Sequence, residues 1–190
     1  MNLERWDAPR PVRLRVADFL RLQEAGAFTD YAKTELIGGE IVAVNAQYSS
    51  HGEAKRLLFL RLSAAVERAL PGHRVWSEVS VAIPPDGTPA PDLFVTSFRP
   101  RPRAVTPVDT VPLVVEIADT TTAFDLGPKL RLYARGGVPE YWVVELERGV
   151  VRQHWTPGPE GYAERREIVF GERLEARTLP GLAVDTGGLS

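Results

Sequence analysis

The sequence contains no cysteine and no long apolar run, and each absence excludes a class of protein. Without cysteine, the chain has neither a disulfide nor a thiolate zinc site. Its start, MNLERWDAPRP, lacks the apolar stretch of a signal peptide, and no segment approaches the roughly 18 consecutive apolar residues of a membrane-spanning helix. We therefore expect a soluble, cytoplasmic protein without a membrane partner.

Several catalytic motifs are also missing. The sequence has no GxxxxGK phosphate loop, no GxSxG nucleophile elbow, no HExxH zinc motif and no GxGxxG motif after a strand. These absences disfavour nucleotide-driven motors, serine hydrolases and zinc proteases. The formal net charge of −2 argues against a polybasic binder. One local basic group, Arg99, Arg101 and Arg103, is either a solvated loop or a loop that contacts phosphate.

The length and composition suit one globular domain. A chain of 190 residues with an apolar fraction of 44% can bury a single good core. We predict an irregular lead-in over residues 1–15 and one domain over residues 16–190. The spacing of apolar residues and turn signals predicts a helix at 16–26, a hairpin at 34–44, a helix at 50–70 and a strand at 74–83.

The stretch from 111 to 146 predicts the centre of the fold. Residues 111–118 are almost continuously apolar, as in a strand that is covered on both faces. A helix ending at Gly136 follows, and the apolar strand 140–146 comes next, so a parallel βαβ unit is expected. After Gly149, short alternating segments predict an antiparallel meander. The predicted fold class is therefore α/β, a mixed sheet flanked by helices with a C-terminal antiparallel meander.

Several polar residues have structural interpretations. Ser50 with Glu53 matches a capping box, and Asp125 is placed to cap the helix that follows it. His51 lies in the first turn of a helix, where it has either a capping or surface role or a contact with a site. We expect His73 and His154 to be structural or at the surface. Tyr133 is expected to be a packed aromatic with a hydrogen-bonded hydroxyl, and Glu145 lies either at the surface or near a site.

A small set of charged residues carries the chemical signal. Glu116 interrupts an apolar strand, and a buried carboxylate requires a partner or a metal ion. Asp92 stands at the entrance of another short strand. Glu35 lies on one arm of the hairpin, as a solvated residue or as a third acid. Lys129, one of three lysines, follows Glu116 on a predicted helix.

Carboxylates on adjacent strands form a hard-oxygen site of the kind that suits Mg²⁺ or Mn²⁺. Such an ion with a nearby ammonium stabilises the charge that develops on a phosphodiester during hydrolysis. The residues alone leave three functions open. These are a metal-dependent nuclease, a catalytically silent module that binds nucleic acid or protein, and a metal-free hydrolase that uses two carboxylates on a sugar.

Longer strings of the sequence resemble a known family. PDLFV and VVEIADTTTAFDLGPKLRLYARGGVPEYWVVEL, with TELIGGEIV and a histidine before a long helix, are similar to the Uma-type family of putative restriction endonucleases. That family belongs to the PD-(D/E)XK nuclease superfamily, and the resemblance covers roughly residues 16–185. It implies a restriction-endonuclease-like fold, DNA as the substrate and Mg²⁺ or Mn²⁺ as the cofactor.

The resemblance also implies roles for individual residues. Asp92 matches the metal-binding acid, Glu116 the second acid and metal ligand, and Lys129 the catalytic lysine, while Glu35 matches an additional acidic site position. Two departures are visible. Thr34 replaces the usual aromatic before Glu35, and Ala118 stands where the superfamily motif has its lysine. The lysine must therefore come from the following helix.

We therefore expect a Mg²⁺-dependent endonuclease that hydrolyses phosphodiester bonds in DNA. Cutting both strands of a duplex usually requires two active sites, so a homodimer is a reasonable expectation.

Overall fold

The computed structural model describes residues 11–44 and 48–189. The regular elements of its first half are α1 (Val16–Glu24), β1 (Thr34–Ile37), β2 (Glu40–Ala43), α2 (Ser49–Ala69), β3 (Arg74–Trp76), β4 (Val81–Ala82) and β5 (Leu93–Thr96). Those of its second half are β6 (Thr106–Pro107), the 3-10 turn Val108–Thr110, β7 (Leu113–Ala118), α3 (Thr122–Phe124), the π-helical segment Asp125–Lys129, α4 (Leu130–Arg135), β8 (Glu140–Glu145), β9 (Val150–Gly158), β10 (Gly161–Val169), β11 (Arg173–Glu175) and β12 (Ala183–Asp185).

A six-stranded mixed sheet in the order β10-β9-β8-β7-β5-β3 forms the centre of the protein. Strands β7 and β8 are parallel, as the βαβ prediction required, and the other neighbours in this sheet are antiparallel. Every residue of β7 and β8 is buried. The α/β fold class predicted from the sequence is confirmed.

The two faces of the sheet carry separate apolar cores. On one face, helix α2 contributes Leu58, Leu62 and Val66 to a cluster that contains Val115 and Ile117 of β7. On the other face, the alternate β7 residues join a second cluster that contains Tyr133 of α4. Because side chains of a strand alternate between faces, Glu116 projects toward the second cluster. The sheet thus holds this carboxylate inside the fold.

The predicted hairpin is present, with Gly38 and Gly39 as its turn. Both glycines have positive φ, 58° and 81°, which a two-residue turn of type I′ requires. Gly39 has a second constraint, because a Cβ there would lie 2.8 Å from the Cβ of Arg13. This turn fixes the register of β1, and the register buries Glu35.

The predicted single strand over residues 74–83 is wrong. The chain forms β3, turns at Glu78, whose φ is 56°, and then forms β4 outside the main sheet. Strand β4 pairs in parallel with β6, at the end of the stretch around Arg99, Arg101 and Arg103 that was predicted as a loop. The arginine part of that stretch, Arg99, Arg101 and Arg103, is exposed.

Both capping predictions are also wrong. Helix α2 begins after Tyr48 without a side-chain cap, and Glu53 pairs with Arg56 in the next turn. Ser50 instead donates from Oγ to Asp119 Oδ2 across 3.4 Å. Asp125 lies inside the α3–α4 segment, where its carboxylate accepts from the Thr121 hydroxyl. In each case a side-chain partner replaces the backbone amide, a distant one for Ser50 and a local one for Asp125.

The C-terminal meander extends the main sheet, and its last hairpin packs in the apolar cluster that contains α2. Strands β9 and β10 form an antiparallel edge, while β11 and β12 pair as a separate hairpin. Glu140 ties this region to β8: its Oε2 accepts from the backbone N–H groups of Arg177 and Thr178, both at 2.8 Å.

The structure describes only part of the predicted lead-in over residues 1–15. Most of the lead-in, residues 1–10, lies outside the described residues, and residues 11–15 have no helix or strand. No helix in the described ranges is both long enough and apolar enough to cross a membrane.

Candidate active site

A cleft of about 250 Å³ lies beside the carboxyl end of β7. The β1–β2 hairpin, the start of α2 and the α3–α4 segment form its walls. The structure brings together there the four residues proposed from the sequence as site residues, and His51 and Asp125 are among the further polar residues of the lining. The polar lining includes Glu35, His51, Asp92, Glu116, Asp125 and Lys129.

Glu116 is the most connected carboxylate of the cleft. Its Oε1 accepts from Lys129 Nζ at 3.0 Å and from the Tyr133 hydroxyl at 2.7 Å. Its Oε2 accepts from the backbone N–H of Asp92 at 3.3 Å. Because Lys129 and Tyr133 are four residues apart, one helical turn presents both donors to the same oxygen. The helix and the neighbouring strand therefore hold Glu116 from two sides.

Asp92 is held just as closely, at the first residue before β5. Its Oδ2 accepts from the backbone N–H of Ile117 at 2.9 Å and lies 3.1 Å from His51 Nε2. Lys55 Nζ is 4.0 Å from Oδ1. His51 is only 4% exposed, so the capping or surface interpretation is wrong and its site-contact interpretation is right.

Lys129 is the buried lysine among the three. Its Nζ lies 3.0 Å from Glu116 Oε1, 3.4 Å from Glu35 Oε2 and 3.7 Å from Asp125 Oδ1. The π-helical segment sets this position, since Pro128 has no N–H to donate to a regular helical ladder. The lysine thus reaches the strand acids from the helix, in the absence of a lysine at position 118.

Glu35 is fully buried, so the interpretation of a solvated strand residue is wrong. Its Oε1 accepts from the backbone N–H of Ala90 at 3.3 Å and lies 3.4 Å from Lys33 Nζ. Lys33 also donates to the Ala90 carbonyl at 2.8 Å. The hairpin therefore brings a further acid, already anchored by the chain, to Lys129.

The cluster carries more negative than positive charge. Burial raises the pKa of Glu116 to about 8, although the Lys129 ammonium opposes this shift. Burial likewise raises the pKa of Asp125. Burial alone would lower the pKa of Lys129, but the carboxylates of Glu116, Glu35 and Asp125 outweigh it and raise that pKa. Three buried carboxylates surround the buried ammonium of Lys129, and a fourth, Asp92, lies next to Glu116, so the cluster favours the uptake of a proton or another cation.

The donor set also limits the kind of ion that fits. Within residues 11–44 and 48–189, no group of three or more histidine, aspartate or glutamate side chains is arranged to hold a metal ion. Mg²⁺ needs fewer protein ligands, because it is usually held by one or two carboxylates and keeps several waters. Asp92 and Glu116, joined through the Asp92 N–H, are a pair of that type.

The remaining polar candidates have other roles. Glu145 is buried but forms an ion pair with Arg152 of β9 and does not line the cleft. His154 is buried within the sheet beside Tyr141. Tyr133, interpreted from the sequence as a packed aromatic, is packed and also donates to Glu116. Its spacing from Lys129 was the signal that could have assigned this contact.

Comparison with known proteins gives this cleft a context. A family model, Uma2, described as "Putative restriction endonuclease", matches residues 16–187. The chain belongs to the Uma2 family. The match confirms the family resemblance, and it spans every element that lines the cleft. It supports a nuclease class for the protein.

Among solved structures, the fold is similar to the crystal structure of a putative nuclease belonging to DUF820 from Anabaena variabilis. The two chains are 16% identical, the match covers 87% of this chain and 89% of the other, and the TM-score is 0.63. At this identity the likeness shows a shared fold. A comparison with curated proteins gave no match.

Proposed function

We propose that this Uma2 protein is a divalent-metal-dependent endonuclease that hydrolyses phosphodiester bonds in DNA. The observation that carries the proposal is the convergence of Asp92, Glu116 and Lys129 in one cleft, with the ammonium 3.0 Å from Glu116. Phosphodiester hydrolysis needs groups that neutralise developing negative charge, and an ammonium next to two carboxylates that would hold a divalent cation would supply them.

Asp92 and Glu116 are the residues that would hold Mg²⁺ or Mn²⁺. When bound, the ion lowers the pKa of water and neutralises charge on the phosphate. The group of buried carboxylates supports this assignment, because a divalent cation would offset their negative charge. Mg²⁺ and Mn²⁺ both prefer such oxygen ligands.

Lys129 orients the attacking water and stabilises the charged transition state from the helix side of the cleft. Its three carboxylate neighbours keep it protonated, so it acts as a fixed positive charge and a hydrogen-bond donor. Glu35 holds the ammonium from the hairpin side. Burial of the group strengthens its electrostatic effect, because little water competes for it.

The test is the nicking of supercoiled plasmid DNA in Mg²⁺ or Mn²⁺. Asp92→Asn keeps the shape of the side chain but removes its charge, and we expect it to lower the nicking rate by on the order of 10²–10³-fold. Chelation of the divalent ion should abolish nicking in the wild type.

Glu160→Gln is the matched control, since Glu160 is exposed in the turn between β9 and β10 and lies outside the cleft. It should nick at the wild-type rate. Equal nicking by wild type and Asp92→Asn would refute the proposal. Salt-dependent DNA binding without cleavage would instead support a catalytically silent binding module. Chelator-resistant hydrolysis of a sugar substrate would point to a carboxylate-pair hydrolase.

We further propose that two copies act together on duplex DNA as a homodimer in the cytoplasm. One cleft cuts one strand, so a double-strand break requires a second cleft on the opposite strand. Sedimentation of the purified protein with a duplex should give the mass of two chains. A complex with the mass of one chain would contradict the dimer.

A further inference from the structure

Each of the two acids has one oxygen that is already occupied by two donors. Asp92 Oδ2 accepts from the Ile117 N–H and contacts His51 Nε2, at 2.9 and 3.1 Å. Glu116 Oε1 accepts from the ammonium of Lys129 and the hydroxyl of Tyr133, at 3.0 and 2.7 Å. These four contacts fix the rotation of both carboxylate groups.

The direction of the His51 hydrogen bond follows from the chemistry of its partner. An ionised aspartate can only accept, so His51 Nε2 carries the hydrogen when Asp92 is a carboxylate. His51 is thus a donor to Asp92, held in place by the first turn of α2 and by burial. Tyr133 is a donor to Glu116, since its hydroxyl bonds to the same oxygen that accepts from Lys129.

The other oxygen of each acid has a different environment. Lys55 Nζ lies 4.0 Å from Asp92 Oδ1, so a cation already approaches that atom. Glu116 Oε2 accepts from the Asp92 N–H at 3.3 Å, which links the two acids. A carboxylate oxygen has two lone pairs, so Oε2 keeps capacity for an ion after this contact.

We propose that His51 and Tyr133 are positioning residues for the metal site. By engaging Asp92 Oδ2 and Glu116 Oε1, they fix the rotation of the two carboxylate groups that would hold the divalent cation. The inference rests on the proposed function, because it concerns the ion proposed there. It adds His51 and Tyr133 to the site as residues that would act on the ion through Asp92 and Glu116.

Direct Mn²⁺ binding, followed by calorimetry, tests this positioning independently of cleavage. Loss of an outer-shell hydrogen bond typically weakens metal binding about 10–100-fold. We expect that loss for His51→Asn, whose shorter amide does not reach Asp92. His51→Gln carries an amide nitrogen near the position of Nε2 and should bind within about threefold of the wild type. Tyr133→Phe keeps the packed ring without the hydroxyl and should also bind about 10-fold more weakly.

His154→Gln is the matched control, because His154 is as buried as His51 but lies outside the cleft. It should bind Mn²⁺ like the wild type. Thermal unfolding of each variant establishes that it is folded, and Tyr133→Phe carries the test where a His51 variant does not fold.

Two failures can be told apart in the same experiment. A wild-type protein that binds no Mn²⁺ would overturn the proposed metal-dependent function together with this inference. Wild-type affinity in both His51→Asn and Tyr133→Phe, with strong binding by the wild type, would overturn the positioning roles alone.

Discussion

Replacing Lys129 with methionine tests how strongly its ammonium stabilises the buried carboxylates of the cleft. Methionine has a similar length and no charge, so the change removes the ammonium and leaves Glu116, Glu35 and Asp125 buried around it. Removing one partner from a buried ion pair typically costs about 3–5 kcal/mol of unfolding free energy. Three carboxylates lie within 4 Å of this ammonium, which places the expected loss in that range at alkaline pH.

The loss should depend on pH, because Glu116 can take up a proton instead. The pKa of Glu116 is about 8 in the folded protein, above its ordinary value of 4.5. A carboxyl with a raised folded pKa contributes stability that is complete below pH 4.5 and is lost as pH rises through 8. Removing Lys129 raises that folded pKa further. The gap between Lys129→Met and the wild type should therefore be smaller at pH 6 than at pH 8.5.

Urea unfolding of both proteins at pH 6.0 and 8.5, in the presence of a chelator, measures the gap. Arg131→Met is the matched control, since Arg131 is exposed two residues further along the chain. It should change the unfolding free energy by no more than about 0.5 kcal/mol. The charge balance inferred for the cleft is refuted if Lys129→Met is as stable as the wild type at pH 8.5.

Two further predictions concern parts of the protein outside the cleft. Glu140→Ala removes a buried acceptor that binds Trp142 Nε1 at 2.6 Å, the Thr178 hydroxyl at 2.9 Å and two backbone amides. It should lower the unfolding free energy by at least about 3 kcal/mol and speed hydrogen exchange in β11 and β12. Unchanged exchange in these strands would contradict the inference that Glu140 holds them against β8. Burial lowers the pKa of His154 to about 4, below its ordinary 6.5. Acidification from pH 6.5 to 4 should therefore lower the unfolding free energy by about 1–2 kcal/mol after a discount for solvent screening. The His154→Phe variant should lack this pH dependence.

The central part of the fold could be predicted from the sequence because the signals there were local. The unbroken apolar run of β7, the glycine pair of the hairpin and the strand–helix–strand order each depend on neighbouring residues. They were enough to predict the parallel β7–β8 pair and the placement of Glu116 inside the fold. Asp92, at the entrance of a short strand, was found for the same reason.

The errors arose where side-chain contacts in the folded protein override the capping preference. Ser50 and Asp125 have good capping side chains, but Ser50 bonds to the distant Asp119. Asp125 contacts Thr121 and Lys129, one helical turn before and after it. The break between β3 and β4 follows from the turn at Glu78, whose φ is positive. Glutamate rarely adopts a positive φ, so its presence in the sequence does not predict this turn.

Burial of lone polar residues was the hardest feature to foresee. A histidine in the first turn of a helix and a glutamate on a hairpin are usually solvated, and only the assembled cleft shows their partners. His51 is buried by its contact with Asp92, and Glu35 by its contacts with Ala90 and Lys129. The roles of Glu35, Asp92, Glu116 and Lys129 in catalysis stay predictions.

The position of a bound ion tests the proposed metal site most directly. We expect an anomalous difference map from a crystal soaked in Mn²⁺ to contain a peak between the carboxylates of Asp92 and Glu116. The same soak of Asp92→Asn should give a weak peak or none. A map from the wild-type crystal at saturating Mn²⁺ that has no peak between these two carboxylates would contradict the site.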